Sequence, residues 1–405
     1  MNEVRIPRGL FPLLFAGFVI YGAVFTVYGA TVPRVIADFG WSYAVTGLVL
    51  AATAVGFFVT SFLAGLFLEG TSPKALYIAA LVIGGVSIAL FARWPSPLIN
   101  MLLSFCVGIG QGIIEVITNY ETVRIEKPGQ SRRMNLLHAG FSIGAIAAPL
   151  AVGAFLQASG SWRIAFPVSG VLLLLLIIGA ALVRFPLPER GAHQGTSGGL
   201  ALLRQPVMIL LCVAMILYLG TELGTSNWVA EYFVRELNAP IRDSSFAVSA
   251  LWIGLLVGRL GLSAVKRRGR QESLLLAMSL FCVAALIGFL AVRRFLPAMA
   301  LVVALGLGYA GIYPLLVTLA GQAFRSSAAV GMLATSAGIG SFAFPYLLAA
   351  IAQAAGLKSG FFFLLALPLG IAVVTLILMR LLPRHVPADA TPQEQAAERN
   401  GASRQ

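Results

Sequence analysis

The sequence predicts an all-α polytopic membrane protein: twelve transmembrane helices in two six-helix bundles. Three observations carry this. Of the 405 residues, 59% are hydrophobic and 11% charged. The apolar runs repeatedly exceed the ~18 residues that a membrane-spanning helix requires. A single long polar interruption, from Phe185 to Pro206, holds Pro-Leu-Pro-Glu-Arg-Gly and Gly-Thr-Ser-Gly-Gly, a flexible linker composition that divides the helices six and six.

Met1 to Arg8 is short and basic, and the roughly 24 apolar residues after it outrun the 7 to 15 of a signal-peptide core, so they are read as a retained first helix. Spans follow at about 10–33, 44–67, 75–93, 98–123, 134–158, 162–183, 207–233, 246–265, 273–291, 296–323, 327–355 and 358–382. Turn residues mixed with charge separate them: Phe39-Gly-Trp-Ser42, Gly70-Thr-Ser-Pro-Lys74, Trp94-Pro-Ser-Pro97, Lys127 to Arg133 and Lys266 to Arg270. The expected organisation is an N-terminal bundle over 1–183, a cytoplasmic linker over 184–206, a C-terminal bundle over 207–382 and a disordered cytoplasmic tail over 383–405.

Charge sets the expected orientation. Of the 28 Lys and Arg, 19 fall on the side of the termini, linker and even-to-odd loops, and 8 on the opposite side. The positive-inside rule then puts both termini in the cytoplasm, in a bacterial inner membrane. This asymmetry accounts for most of the +13 net charge. Dispersed among short loops, the basic residues give no reason to expect nucleic-acid binding. Trp41, Trp94 and Trp162 sit at outer helix ends, as an interfacial aromatic belt does. Cys106, Cys212 and Cys282 lie unpaired in apolar runs and suggest neither disulfide nor metal. None of the four lysines follows a glycine, which excludes a Walker A site for ATP. Gly306-Leu-Gly-Tyr-Ala-Gly311 matches a dinucleotide fingerprint in spelling alone, because it lies inside a span and marks close helix packing.

The chemistry concentrates in the fourth span. Gln111, Glu115 and Asn119 recur at i, i+4, i+8 and share one face of an otherwise lipid-soluble helix, with Gly108 and Gly112 allowing a neighbour close. An ionised group at this depth costs several kcal/mol unless it is paired, protonated or wetted, so an intramembrane carboxylate is functional by default. A proton-coupled carrier needs such a group, charged when water reaches it and protonated when desolvated. Glu222, between Gly220 and Gly224, is the second candidate for coupling or for a helix contact. Asn135, Asn227, Trp228, Tyr309 and Tyr313 supply amides and aromatic faces of the kind that bond sugar hydroxyls and stack on sugar C–H faces; each also suits a membrane core. His138 either titrates near neutrality or bridges helices as a neutral imidazole. Arg259 would hold an anionic substrate, pair with a gate carboxylate or snorkel to the surface.

The two-times-six layout resembles the major facilitator superfamily, in which the substrate cavity lies between the halves at mid-membrane. Local sequence resembles its fucose/proton symporter family: Gly110-Gln-Gly-Ile-Ile-Glu115-Val-Ile-Thr-Asn119, Asn135-Leu-Leu-His138 through Gly144, Tyr218-Leu-Gly-Thr-Glu222 with Trp228 and Tyr232, Gly311-Ile-Tyr-Pro314 and Gly338 to Pro345. The resemblance implies proton-coupled uptake of a sugar by alternating access, with no enzyme activity and no bound cofactor. It implies a lipid-embedded monomer whose partner is a small-molecule substrate, with Na+ as the alternative coupling ion. An exporter of lipophilic compounds and an uncoupled facilitator or receptor are the alternative functions. Two departures stand out. The family often carries an acid in helix 1, and Tyr28-Gly-Ala-Thr-Val-Pro33 has none, which leaves Glu115 as the principal coupling group of the first half. The superfamily's loop 2–3 gating motif survives only as Gly65 to Glu69 with Lys74, while Gly258-Arg259 resembles its second-half counterpart.

Overall fold

The computed structural model describes residues 9–68, 71–125, 132–158, 161–186, 202–264, 270–324 and 327–382. Twelve spans run through them, each long and apolar enough to cross a membrane. These are α1 (Leu10–Phe39), α2 (Tyr43–Leu68), α3 (Pro73–Leu90), α4 (Pro97–Ile125), α5 (Arg132–Ala158), α6 (Ala165–Leu182), α7 (Pro206–Leu237), α8 (Phe246–Ala264), α9 (Gln271–Ala291), α10 (Phe295–Tyr309 and Ile312–Phe324), α11 (Ser327–Ala355) and α12 (Leu357–Leu381). A 3-10 turn at Trp162–Ile164 leads into α6 and a single helical turn at Ile241–Ser244 into α8. The linker from 187 to 201 and the tail from 383 lie outside the described residues.

Local chemistry accounts for the helix ends. Pro73, Pro97 and Pro206 open α3, α4 and α7 at the position where a missing N–H costs nothing. Gly40 and Asn238 close α1 and α7 in the left-handed conformation, which glycine adopts freely and asparagine tolerates. Lys74 donates to the carbonyls of Ala181 (2.6 Å) and Val183 (3.0 Å), tying the start of α3 to the end of α6.

The tenth span differs from the continuous helix that the sequence predicts. It breaks at Ala310-Gly311. Pro314 has no N–H to return to the carbonyl of Ala310, and Gly311 is the weakest helix former available, so the ladder opens there. Tyr309 and Tyr313, four residues apart, lie on either side of the break: Tyr309 is buried and Tyr313 exposed.

Bare backbone lets the helices approach. A Cβ on Gly22 or Gly144 would run into the carbonyl of Phe141 or Val19, fixing α1 against α5. Gly56 and Gly108 join α2 to α4 in the same way, and Gly254 and Gly306 join α8 to α10 with the same separation along the chain. Helices α1–α6 pack among themselves, as do α7–α12, and the two sets meet through α1 with α7, α2 with α11 and α5 with α8.

Those junctions cluster on the side away from the start of α1 and the end of α12. Gly29 abuts the backbone of Ser226 and Asn227, Gly47 abuts Ala349, and Gly153 abuts Phe246. The Tyr43 backbone N–H donates to Gln353 Oε1 (2.9 Å), Gln157 Nε2 to Asp243 (3.4 Å) and Ser249 Oγ to the carbonyl of Ile146 (2.9 Å). Toward the side of the termini α4 and α10 stand apart, and Asn135, His138 and Tyr313 are exposed. Among the described residues the halves therefore meet on the far side and stand apart on the termini side.

Candidate functional site

At the depth where the two halves part, Glu115 of α4 accepts a hydrogen bond of 2.9 Å from the Tyr21 hydroxyl of α1. Glu115 as a residue is half-buried. In the second half, Tyr218 donates to Glu222 one turn further along α7. Tyr21 and Tyr218 occupy matching places on the first helix of each half, so each half caps a carboxylate with the equivalent phenol. Arg259 of α8 lies within hydrogen-bonding reach of the Tyr218 hydroxyl and within electrostatic range of Glu222. The Tyr313 hydroxyl sits between the halves, within range of Glu115, Glu222 and Arg259. His138 lies within electrostatic range of Arg259, its ring edge-on to Phe18 at 5.5 Å.

The structure therefore brings Glu115, Glu222, His138, Arg259 and Tyr313 around one opening. Gln111 and Asn119 flank Glu115 on the same face of α4; Gln111 is buried, and both Gln111 Nε2 and Asn119 Oδ1 are without hydrogen-bond partners. Asn135 lies on α5 nearer the termini side. Gln111 and Asn227 also line a small, partly open cavity of about 40 Å³ with Phe25, Tyr28, Thr53 and Ser341, deeper toward the sealed side.

Two aromatic candidates lie elsewhere. Trp228 is fully buried in the seal, its ring edge-on to that of Tyr43 at 5.7 Å. Tyr309 is fully buried in the second half, 3.1 Å from Thr225 Oγ1. Glu69 lies outside the described residues. The guanidinium of Arg259 is directed at Tyr218, well inside the bundle.

Two functional groups were not visible in the sequence. Tyr21 reads as one more aromatic in an apolar helix; its spacing of seven from Tyr28 marks an inward face, but nothing local announces a partner 94 positions away. Glu231 with Arg235 reads as an exposed i, i+4 ion pair. In the fold α2 covers Glu231, which accepts 2.9 Å from Arg235 Nε and 3.3 Å from the Tyr43 hydroxyl of the opposite half. This bond joins the two halves on the far side. Tyr43→Phe is expected to raise the far-side-open population about tenfold, since a hydrogen bond to a charged group is worth roughly 1.5–3 kcal/mol and Arg235 retains part of it. The reactivity of a cysteine introduced at Ala349, which the seal buries, reports the change; unchanged reactivity excludes a latch at Glu231.

Comparisons agree with this architecture. The family model described as Major Facilitator Superfamily matches residues 13–292 and 210–404. The chain is 23% identical over 332 residues to the glucose/mannose transporter GlcP of Bacillus subtilis, covering 77% of this chain and 80% of that one. Its fold is similar to a bacterial homolog of the human lysosomal transporter Spinster in an inward-facing and occupied conformation (TM-score 0.76, 14% identity, 94% of this chain and 98% of that one). It is similar also to the D-xylose-proton symporter (TM-score 0.74, 14% identity, 93% and 98%). With twelve spans, a site between its halves and the family's model matched across nearly its whole length, the chain belongs to the major facilitator superfamily and is a secondary transporter, not an enzyme.

Proposed function

We propose that this transporter takes up a small neutral polar solute, a monosaccharide or related polyol, together with a proton. The observation that carries the reading is the Tyr21–Glu115 pair: a half-buried glutamate at the meeting of the halves whose hydrogen-bond partner among the described residues is a neutral phenol. Glu222 differs, because Arg259 stands close enough to balance its charge. Counted over Glu115, Glu222 and Arg259, with His138 neutral, the site carries one surplus negative charge. One proton on Glu115 makes it neutral, and only a neutral or paired site can be sealed from water without a cost of several kcal/mol. Protonation thus permits closure on the termini side, and rewetting releases the proton. The names of GlcP and of the D-xylose-proton symporter support a sugar as the solute.

The loop charges support placing the termini, and hence the open side, in the cytoplasm, in the inner membrane of a bacterium. The transporter then acts as a monomer within the bilayer, with its solute as partner, no nucleic acid and no cofactor. Uptake into vesicles of purified protein, with pH and sodium gradients imposed separately, tests the reading. The expected result is accumulation of a hexose or pentose driven by an inward proton gradient. Accumulation driven by sodium alone, or equilibration blind to both gradients, overturns proton coupling. Movement of lipophilic compounds and no sugar overturns the solute class.

A further inference from the structure

A small, partly open cavity between α1, α2, α4, α7 and α11 lies one helical turn beyond the Tyr21–Glu115 pair, toward the sealed side. Phe25 follows Tyr21 by one turn on α1, and Gln111 precedes Glu115 by one turn on the oppositely running α4. Three of its polar lining residues, Tyr28, Thr53 and Gln111, carry side-chain atoms without hydrogen-bond partners. The Tyr28 hydroxyl sits beside those of Thr53 and Ser104, yet the three do not align into hydrogen bonds. Gln111 Nε2 is likewise unpartnered, with its residue 4% exposed and Tyr28 5%. Asn227 adds an amide from the opposite half, and Ser341 a hydroxyl that donates to the carbonyl of Ala337 (2.9 Å) and can still accept. Buried polar groups are ordinarily paired, and each one left without a partner costs about 1–3 kcal/mol, so a cluster of them facing one void marks a place for a ligand that bonds them.

The lining also states what that ligand is. No carboxylate, ammonium or guanidinium borders the void, so nothing there compensates a charged group. Hydroxyls and amides both donate and accept, which is the behaviour an alcohol requires, and the Phe25 ring offers an apolar face to carbon. A single water needs at least about 10–15 Å³ on the same measure. The volume of about 40 Å³ therefore holds two or three water-sized atoms and excludes a ring.

We propose that this cavity is the subsite for the exocyclic hydroxymethyl group of a sugar, the ring resting one turn below against Tyr21, Glu115 and Tyr313. Because residues of both halves line it, the subsite also reads substrate at the surface where the halves rock. The proposal rests on the reading of the solute as a sugar and not on the coupling ion.

Equilibrium binding to the purified protein tests it, using whichever of D-glucose, D-mannose and D-galactose binds most tightly, with its 6-deoxy and 6-O-benzyl analogues. The 6-deoxy analogue is expected to bind about tenfold more weakly, the worth of one hydrogen bond, and the 6-O-benzyl analogue not at all. Thr53→Val and Gln111→Leu should weaken the parent sugar about tenfold and leave the 6-deoxy analogue within about twofold. Asn227→Leu, on the other half, gives the same pattern and serves where an α2 or α4 variant misfolds. Equal weakening of parent and 6-deoxy sugar, or 6-O-benzyl binding as tight as the parent's, overturns the subsite while sugar binding itself stands. Binding of no sugar overturns both the subsite and the solute class. Sugar binding with uptake that ignores the proton gradient overturns only the coupling.

Discussion

Vesicles containing the Glu115→Gln variant are expected to equilibrate sugar without ever concentrating it. Glutamine keeps the volume and leaves an oxygen to accept the Tyr21 hydroxyl, so the contact between α1 and α4 survives. What it removes is the exchangeable proton. One pH unit across the membrane is worth 1.36 kcal/mol per proton, so a carrier moving one proton with each sugar accumulates about tenfold at that gradient, and an uncoupled one reaches equal concentrations. The variant is neutral at every pH, like protonated wild type, so its site can close around sugar and exchange should continue within a few-fold of the wild-type rate. Exchange measured with labelled sugar inside and out, beside net uptake with and without a pH gradient, separates the two. Undiminished uphill uptake in the variant would remove Glu115 from the coupling and leave Glu222 as the carboxylate to examine. Loss of exchange as well would make Glu115 a binding group.

The second large effect comes from glycine contacts that look alike and do different work. Gly29→Leu is expected to fold and yet lose transport by more than tenfold; Gly144→Leu is expected not to assemble. A Cβ at residue 29 meets the backbone of Ser226 and Asn227, which belong to the other half. Backbone cannot swing aside as a side chain does, so the halves must part on the far side, a movement the transport cycle already contains. A Cβ at residue 144 meets the carbonyl of Val19 inside the same half, where α1 and α5 have no second arrangement to adopt. In a background without Cys106, Cys212 and Cys282, Ala349→Cys should become reactive from the far side in Gly29→Leu, whose thermal stability stays near that of the parent. Gly144→Leu should show low yield and early unfolding. A Gly29→Leu protein whose Ala349→Cys stays unreactive would refute the idea that the α1–α7 crossing seals the far side.

The contrast between those glycines marks the limit of reading this chain as a string. Twelve spans follow from composition and length because lipid leaves a hydrophobic helix no alternative to crossing. The i, i+4, i+8 run of Gln111, Glu115 and Asn119 follows from helical periodicity, which tertiary packing does not alter. Tyr309 and Tyr313, also four residues apart, lie on either side of the break that Gly311 and Pro314 open in the ladder. Trp228 carries the aromatic chemistry of a sugar site but is fully buried in the seal, its ring packed against that of Tyr43 from the opposite half.

The sequence by itself determined the class of molecule, the number of spans, the side rich in positive charge and the carboxylates worth watching, since each depends on hydropathy or on local spacing. Tertiary structure alone decided the rest: that Tyr21 caps Glu115, that Arg259 attends Glu222, that Glu231 is buried against Tyr43 of the opposite half, and that the far side is shut. These depend on which helices lie beside one another and at what height, and helix–helix contact in lipid is governed by the fit of small residues and buried hydrogen bonds between distant segments, for which no local pattern in the chain stands as a sign.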